Sequence, residues 1–410
     1  MAINEATGTI ESSFGDRTPL WQDGALRQAY LLPRTTEELR NKRSGFWGPT
    51  DGASAFADGW TDYAHSLLAG WDAHEPFVRA EERGTTGAWR ELYKQSERQR
   101  SVITTSLHPI APLGDSRPIM QSEASGGIRL HGRQTFGAGA WFADELLLFI
   151  REEGAAHPTV AALIQKGTEG LRLIPAGNGS AHSESGPVVA AYEDVRIPAE
   201  RLWTGEDADS LKRLLDHPLV KSLADYQWAA RQLDAIELLA GTAFALAEET
   251  GRGEELHIQG ELGELIQGIE TLKALLHAAE LCARPSPAGV LLPAPAPLHA
   301  ALLIADESYG KAVRALQRIG AAAFLANPNN ASPTSPNDGK PSLLQLAWGL
   351  TGSEASTRTK LHEQHAFGDS LAKSQELYRH YPVHLLRRRY QQFWQSMQPL
   401  DGKEESEVQI

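Results

Sequence analysis

Thr351, Gly352 and Ser353 interrupt an apolar helical run and are soon followed by Arg358. Leu343, Leu346, Ala347 and Leu350 share one helical face, so a buried helix runs into a small-residue break where backbone can approach a ligand closely. Hydroxyls, amides beside a glycine and a guanidinium suit a polar or anionic cofactor group, as helix starts suit phosphates. The plain alternative is a glycine-interrupted helix junction with Arg358 in solvent. A second pair, His362 and His365, resembles a metalloprotease signature, but HExxH places its histidines four apart and these are three apart. They can still share a helical face and meet a metal; the alternative is two solvent-facing histidines. No GxGxxG follows a strand, and GxxxxGK[ST] and GxSxG are absent, so Rossmann, P-loop and nucleophile-elbow readings have no support. The single Cys282 allows no disulfide framework, cysteine zinc site or iron–sulfur cluster, and among Ala279, Leu281 and Ala283 it reads as a core thiol.

The elements that must position these residues follow from periodicity. The 410 residues, 41% apolar, suffice for several layers around a substantial core. A net charge of -13 argues against a nucleic-acid partner, and Arg387-Arg388-Arg389 inside an apolar-periodic helix reads as a solvated or subunit-facing stripe. There is no long uncharged apolar run and the N-terminus is polar and acidic, so a cytoplasmic protein without membrane association is expected. Helical intervals run from about Thr35 to His108, with breaks at Gly48-Pro49 and Glu75-Pro76. From about Ile110 to Leu202 short β-type runs take over: GIRLHG, DELLLFIRE, TVAALIQ, LRLIPA and VVAAYEDVRIP. Helices return over Val220–Thr250, Leu256–Cys282, Leu298–Leu325, Leu343–Gly349 and Ala372–Met397, separated by the Pro-rich loops Arg284–Pro297 and Asn327–Pro341. This divides the chain into a helical N-terminal domain (1–108), a small central β domain (109–205) and a C-terminal antiparallel helical bundle with its tail (206–410). The fold class is α+β.

That order is the architecture of acyl-CoA dehydrogenase-like flavoproteins, and individual residues carry a closer resemblance. The stretch from Gly127 to Glu145, GIRLHGRQTFGAGAWFADE, resembles the β-domain signature of the 4-hydroxyphenylacetate 3-hydroxylase oxygenase family. Further matches follow in order: Val195-Arg196-Ile197-Pro198 with Arg201-Leu202-Trp203, Ala247-Glu248, Gln259 to Glu264, Leu346-Ala347-Trp348, Leu350 to Glu354 and Arg358. The resemblance implies an FADH2-dependent oxygenase of a two-component system. Reduced flavin from a separate reductase would meet O2 and form a C4a-hydroperoxide that hydroxylates a small molecule, while the protein holds flavin and excludes water. It also implies a homotetramer built as a dimer of dimers. Helices Val220–Thr250 and Leu256–Cys282, more apolar than one partner would bury, agree with that.

Site residues follow by position. The flavin-contacting segment corresponds to Thr104, Thr105, Ser106, Leu107, His108, Pro109 and Ile110, whose hydroxyls fit hydrogen bonds to flavin edges; the alternative is an ordinary turn or strand end. Ala138 occupies a flavin-contacting position that is usually Thr. Thr351, Gly352, Ser353 and Glu354, with Arg358, match the second flavin segment. The family holds its phenol with an Arg, a Tyr and a His; here Pro49, Ala53 and Thr104 fall at those positions, with His108 close enough to supply an imidazole. Thr104 and His108 are therefore the catalytic candidates, and Thr50, Asp51, Ala53, Ile150 and Arg151 the substrate-lining ones. Asp51 would attract a cation, or else serve as a helix N-cap. The expected substrate is thus not a simple phenol, with oxygenation at nitrogen included. Alternatives are a phenol hydroxylase with a rearranged pocket and a non-catalytic homologue that has lost flavin.

Overall fold

Leu146 to Ile150 are apolar at every position, so neither face of this run can be left in water. The computed structural model, which describes residues 23–44, 61–74, 88–108, 117–176, 187–325 and 342–397, buries it at the centre of a sheet. Among the described residues four N-terminal helices come first: α1 (Asp23–Tyr30), α2 (Thr36–Ser44), α3 (Thr61–Ala73) and α4 (Ala88–Gln99). The strands follow as β1 (Ile103–Thr105), β2 (Ile119–Ser122), β3 (Ile128–Phe136), β4 (Glu145–Ile150), β5 (Val160–Gln165), β6 (Leu171–Pro175), β7 (Val188–Ile197) and β8 (Leu202–Thr204). One four-stranded sheet has the order β1-β4-β5-β8, with β1 parallel to β4 and the other pairs antiparallel. The second, β2-β3-β7-β6, is antiparallel throughout.

After the short α5 (Ser210–Asp216) come α6 (Ser222–Glu249), α7 (Leu256–Leu281) and, past the two-residue strands β9 (Arg284–Pro285) and β10 (Leu291–Leu292), α8 (Pro295–Leu325). These long helices pack on one another as the body of a bundle. It is completed by α9 (Leu343–Thr351), α10 (Glu354–Phe367), α11 (Ser370–His380) and α12 (Val383–Met397). One apolar core runs through the N-terminal helices, both sheets and the near half of the bundle. A second, formed by residues such as Leu239, Leu262, Leu316 and Leu350, fills the far half. The join between α3 and the start of α6 is close. A Cβ at Gly70 would lie 2.0 Å from the Val220 carbonyl oxygen, so only glycine admits that approach.

The structure departs from the sequence-based expectations in five places. Strand β1 lies within the stretch read as helical, and β2 had no expected counterpart; both are short and defined by their pairing with β4 and β3. The run Ala372–Met397 is two helices, because Pro382 lacks the amide that would continue the first. Cys282 caps the end of α7 and is exposed rather than a core thiol. His362 is buried, not solvent-facing, while His365 is exposed, so the two do not converge on a shared metal position.

Candidate active site between the β sheets and the bundle

Helix α10 joins the two halves of the molecule. Ser353 caps its start, accepting from the Ser356 amide at 3.1 Å, and the preceding helix α9 starts with a capping box between Ser342 and Gln345. From α10, Arg358 Nη1 donates to the Ala176 carbonyl just past β6 at 2.8 Å, and His362 Nε2 lies 3.4 Å from the Thr135 carbonyl of β3. Burial holds the His362 ring down to about 4 despite the Thr135 carbonyl, and His365 adds repulsion. At the helix's far end the Ala366 carbonyl accepts from the His108 amide at 3.1 Å. One helix thus ties the segment after β1, the end of β3 and the β6 edge to the bundle.

The hydroxyl row lies beneath this helix. Thr104, Thr105 and Ser106 are all buried, on or directly after β1. Thr105 Oγ1 donates to the Leu147 carbonyl at 2.8 Å and Ser106 Oγ to the His108 carbonyl at 2.9 Å, leaving both oxygens with lone pairs to accept. Leu107 is buried and His108 exposed; the charges whose fields reach the His108 ring are Lys221, Glu376 and Asp216. On α9 and the junction, Thr351 Oγ1 donates back to the Ala347 carbonyl and Ser353 Oγ to the Gly349 carbonyl, each at 2.7 Å. Their hydroxyl protons are used locally, so their value to a ligand is as acceptors and as shapers of the break. Gly352 closes α9, and the Trp348 ring covers it so closely that a Cβ would meet it at 2.6 Å.

Of the other sequence-derived positions, Ala138 lies in a 3-10 turn, Ala138–Trp141, directly after β3. Glu354 opens α10. Ile150 is buried at the end of β4, and Arg151 beside it is exposed. Thr50, Asp51, Ala53 and Ile110, with Pro49 and Pro109, lie outside the described residues. Sequence reasoning missed Trp141 as a site candidate, although it stands inside the signature stretch. Its indole Nε1 is buried and has no hydrogen-bond partner among the described residues. These features fit an isoalloxazine and its polar side chain: an unpaired donor at Trp141, acceptors at Thr105 and Ser106, and the first amides of α10, which have no partner within their helix.

Known proteins resemble this chain in sequence and in fold. The model of the family "HpaB: 4-hydroxyphenylacetate 3-hydroxylase C terminal" matches residues 220–341 and 338–395. A probable 4-hydroxyphenylacetate 3-monooxygenase of Bacillus subtilis (strain 168) is 24% identical over 393 residues, covering 86% of this chain and 81% of that protein. The oxygenase component of 4-hydroxyphenylacetate 3-monooxygenase from Geobacillus sp. (strain PA-9) is 26% identical over 202 residues, 45% of this chain and 41% of that protein. Among solved structures, the HpaB oxygenase component complexed with FAD and 4-hydroxyphenylacetate superposes with a TM-score of 0.76 at 21% identity, over 90% of this chain and 85% of that one. An archaeal 4-hydroxybutyryl-CoA dehydratase from N. maritimus reaches a TM-score of 0.70 at 13% identity, over 92% of this chain and 84% of that one. The fold is therefore α+β and acyl-CoA dehydrogenase-like. Within that class the chain is similar to the 4-hydroxyphenylacetate 3-hydroxylase family, through its C-terminal model and through relatives named for that activity.

Proposed function

We propose that this chain is the oxygenase component of a two-component flavin-dependent monooxygenase, which takes FADH2 from a separate reductase and hydroxylates a small aromatic molecule with O2. What supports the reading is the likeness to this family, together with the buried Thr104–Ser106 row that leads to the Ala366 end of α10, the unpaired Trp141 indole after β3 and the Ser353-capped break at the start of α10. Bound reduced flavin would supply the electrons that activate O2. The protein's share is to hold and enclose. Thr105 and Ser106 accept from the ring edge, Trp141 donates, the first amides of α10 face electron-rich oxygens, and the apolar walls keep water out.

For the substrate, the expectation of a non-phenol, or of oxygenation at nitrogen, draws no support from the relatives, both of which are named for 4-hydroxyphenylacetate. It rested largely on Pro49, Asp51 and Ala53, which lie outside the described residues. We take a hydroxylated aromatic acid of the 4-hydroxyphenylacetate kind as the substrate class, read by a rearranged pocket in which Thr104 replaces an imidazole. Self-association belongs to the same proposal. Phe244, Leu256, Ile266 and Leu281 are exposed on the bundle, and α12 leaves Leu385, Leu386, Tyr390, Phe393 and Trp394 in solvent, which suits a homotetramer built from two dimers. Among the described residues no helix is long and apolar enough to cross a membrane.

The test is a fluorescence titration with FAD and FADH2, followed by product analysis with a flavin reductase, O2 and 4-hydroxyphenylacetate. Saturable flavin binding and a hydroxylated product are expected. A chain that binds neither redox form of FAD would be the non-catalytic homologue instead, and light scattering that finds only monomer would remove the tetramer.

A further inference from the structure

At the head of the bundle, facing the segment that follows β1, three helices bring ionisable groups together out of solvent. Asp225 on α6 and His299 on the first turn of α8 are each 2% exposed. His299 Nε2 lies 3.6 Å from Asp225 Oδ2 and 4.0 Å from Glu376 Oε1 on α11, and Glu376 accepts from Lys221 Nζ at 2.6 Å. The His380 ring of α11 stands 6.0 Å from the His299 ring, centre to centre. Both ring nitrogens of His299 and the Oδ2 of Asp225 lack a hydrogen-bond partner among the described residues. Unmet bonding capacity in a buried imidazole is expected where the group has a chemical task.

The surroundings point toward the proposed site. Tyr63 of α3, Trp228 of α6 and Phe367 of α10 pack edge to face with centroids 5.0 to 6.0 Å apart, and form an aromatic wall beside the cluster. Phe367 directly follows Ala366, whose carbonyl holds the His108 amide at the end of the hydroxyl row. Lys373 of α11 lies over the Trp228 ring at 4.5 Å and is bound to Asp306 of α8 at 2.7 Å, so its charge is already matched. Burial pushes the Asp225 carboxyl up, but Lys221, His299 and Lys373 outweigh it and hold the group below its ordinary value. Two carboxylates, Asp225 and Glu376, stand against the single ammonium of Lys221 around the His299 ring, so the field there favours an added positive charge.

We infer that His299, oriented and charge-stabilised by Asp225, is the proton acceptor of this chain's substrate site, doing from the bundle side what Thr104 cannot do from β1. The inference rests on the hydroxylase reading and deepens it. In the step, the O–H bond of a bound phenol breaks, the proton bonds to a ring nitrogen of His299, and the electron pair stays on the phenolate oxygen. That oxygen then enriches the ring carbon to be hydroxylated. The proton leaves to solvent or returns to the substrate oxygen, so nothing is oxidised or reduced in this step. Asp225 is a positioning residue throughout.

The experiment uses the full chain, with and without FAD, and three probes: 4-hydroxyphenylacetate, phenol and tyramine. Ultraviolet difference spectra report whether a bound probe is phenol or phenolate, and the pH profile of turnover reports the acid limb set by the acceptor. The wild-type chain should bind at least one probe as phenolate at neutral pH. His299→Gln should bind it as neutral phenol, lose the acid limb and lose about a hundredfold in turnover, with FAD affinity unchanged. Asp225→Asn should move the acid limb by about one pH unit to lower pH, because the imidazolium loses the carboxylate that stabilises it. A phenolate spectrum and acid limb that survive His299→Gln would overturn the inference, as would failure of the wild-type chain to bind any probe. If the glutamine variant does not fold, an unmoved acid limb in Asp225→Asn overturns it alone. Loss of the parent reading would look different: no FAD binding, with the flavin-free phenolate spectra still deciding the role of His299.

Discussion

The hydroxyl row below α10 and the ionic cluster at the bundle head are neighbours through Ala366 and Phe367, yet they are built on opposite principles. In the first, Thr105, Ser106, Thr351 and Ser353 each give their proton to a nearby carbonyl, so the surface is neutral, locally satisfied and stiff. In the second, Asp225, His299, Glu376 and Lys221 concentrate charge and leave polar atoms unpaired. The first arrangement suits holding a cofactor in one geometry. The second suits moving a proton, since groups with unmet bonding capacity are the ones whose protonation a substrate can change. Perturbations of the ionic side should therefore cost the most, and perturbations of the hydroxyl side the least.

The largest effect is expected at Asp306, which accepts from Lys373 at 2.7 Å and lies 3.4 Å from Lys360 Nζ, joining α8 to both α10 and α11. Its side chain is 10% exposed, and those of Lys373 and Lys360 7% and 16%. Asp306→Ala would leave two largely buried ammonium groups with weakened compensation, so a loss of about 4 kcal/mol is expected in chemical denaturation. A loss below about 1 kcal/mol would mean that the bundle head relaxes readily and is not the rigid counterpart drawn here.

Acid should act next, through His362 at the boundary of the two regions. Its ring falls from 6.5 to about 4 in the folded state, with burial the main cause. The unfolded chain therefore takes up the proton first. Stability is intact above pH 6.5, falls as pH drops toward 4, and has lost about 3 kcal/mol from this residue below that. His74, also lowered to about 4 by burial and by His217, adds a loss over the same window. Thermal unfolding between pH 7 and about 4 checks the sign, and His362→Gln should flatten the curve without removing the His74 share.

How far these regions were legible in the sequence differs for a physical reason. Thr351-Gly352-Ser353 showed as a break because local periodicity reveals an interruption, and the apolar runs of β4 and β5 showed as strands because both faces must be buried. Strand β1 did not show, since three residues become a strand only by pairing with β4 some forty residues on, as their registers with Glu145, Leu146 and Leu147 attest. The Asp225–His299 pair was hidden for the same reason: each residue is one polar position in an otherwise helical pattern, and only packing brings them together. Pro382, by contrast, was a stop signal in plain view within the run Ala372–Met397.

A middle-sized effect tests the join between α3 and the ionic cluster. Gly70→Ala would place a Cβ 2.0 Å from the Val220 carbonyl, one residue before Lys221, and force α3 away from the start of α6. A net loss of about 2 kcal/mol is expected, after allowing for the better helix propensity of alanine. Gly241→Ala on α6, where a Cβ meets nothing within 4 Å, is the control and should gain up to about 1 kcal/mol. Equal melting temperatures for the two variants would show that the approach at Gly70 is not tight.

The smallest effect belongs to the hydroxyl side, at Ser353. Its Oγ accepts from the Ser356 amide at 3.1 Å and donates to the Gly349 carbonyl at 2.7 Å, so it both starts α10 and ties that start back to α9. Ser353→Ala should cost about 1 kcal/mol of stability, the usual loss of an N-cap. Because the first amides of α10 keep their direction only while the cap holds, FAD affinity should fall by about tenfold or less, seen in a fluorescence titration. The acid limb of turnover should stay where it is, since no proton is handled here. A shifted limb in Ser353→Ala, or an unshifted one in Asp225→Asn, would erase the division of labour between a neutral holding surface and a charged reacting one.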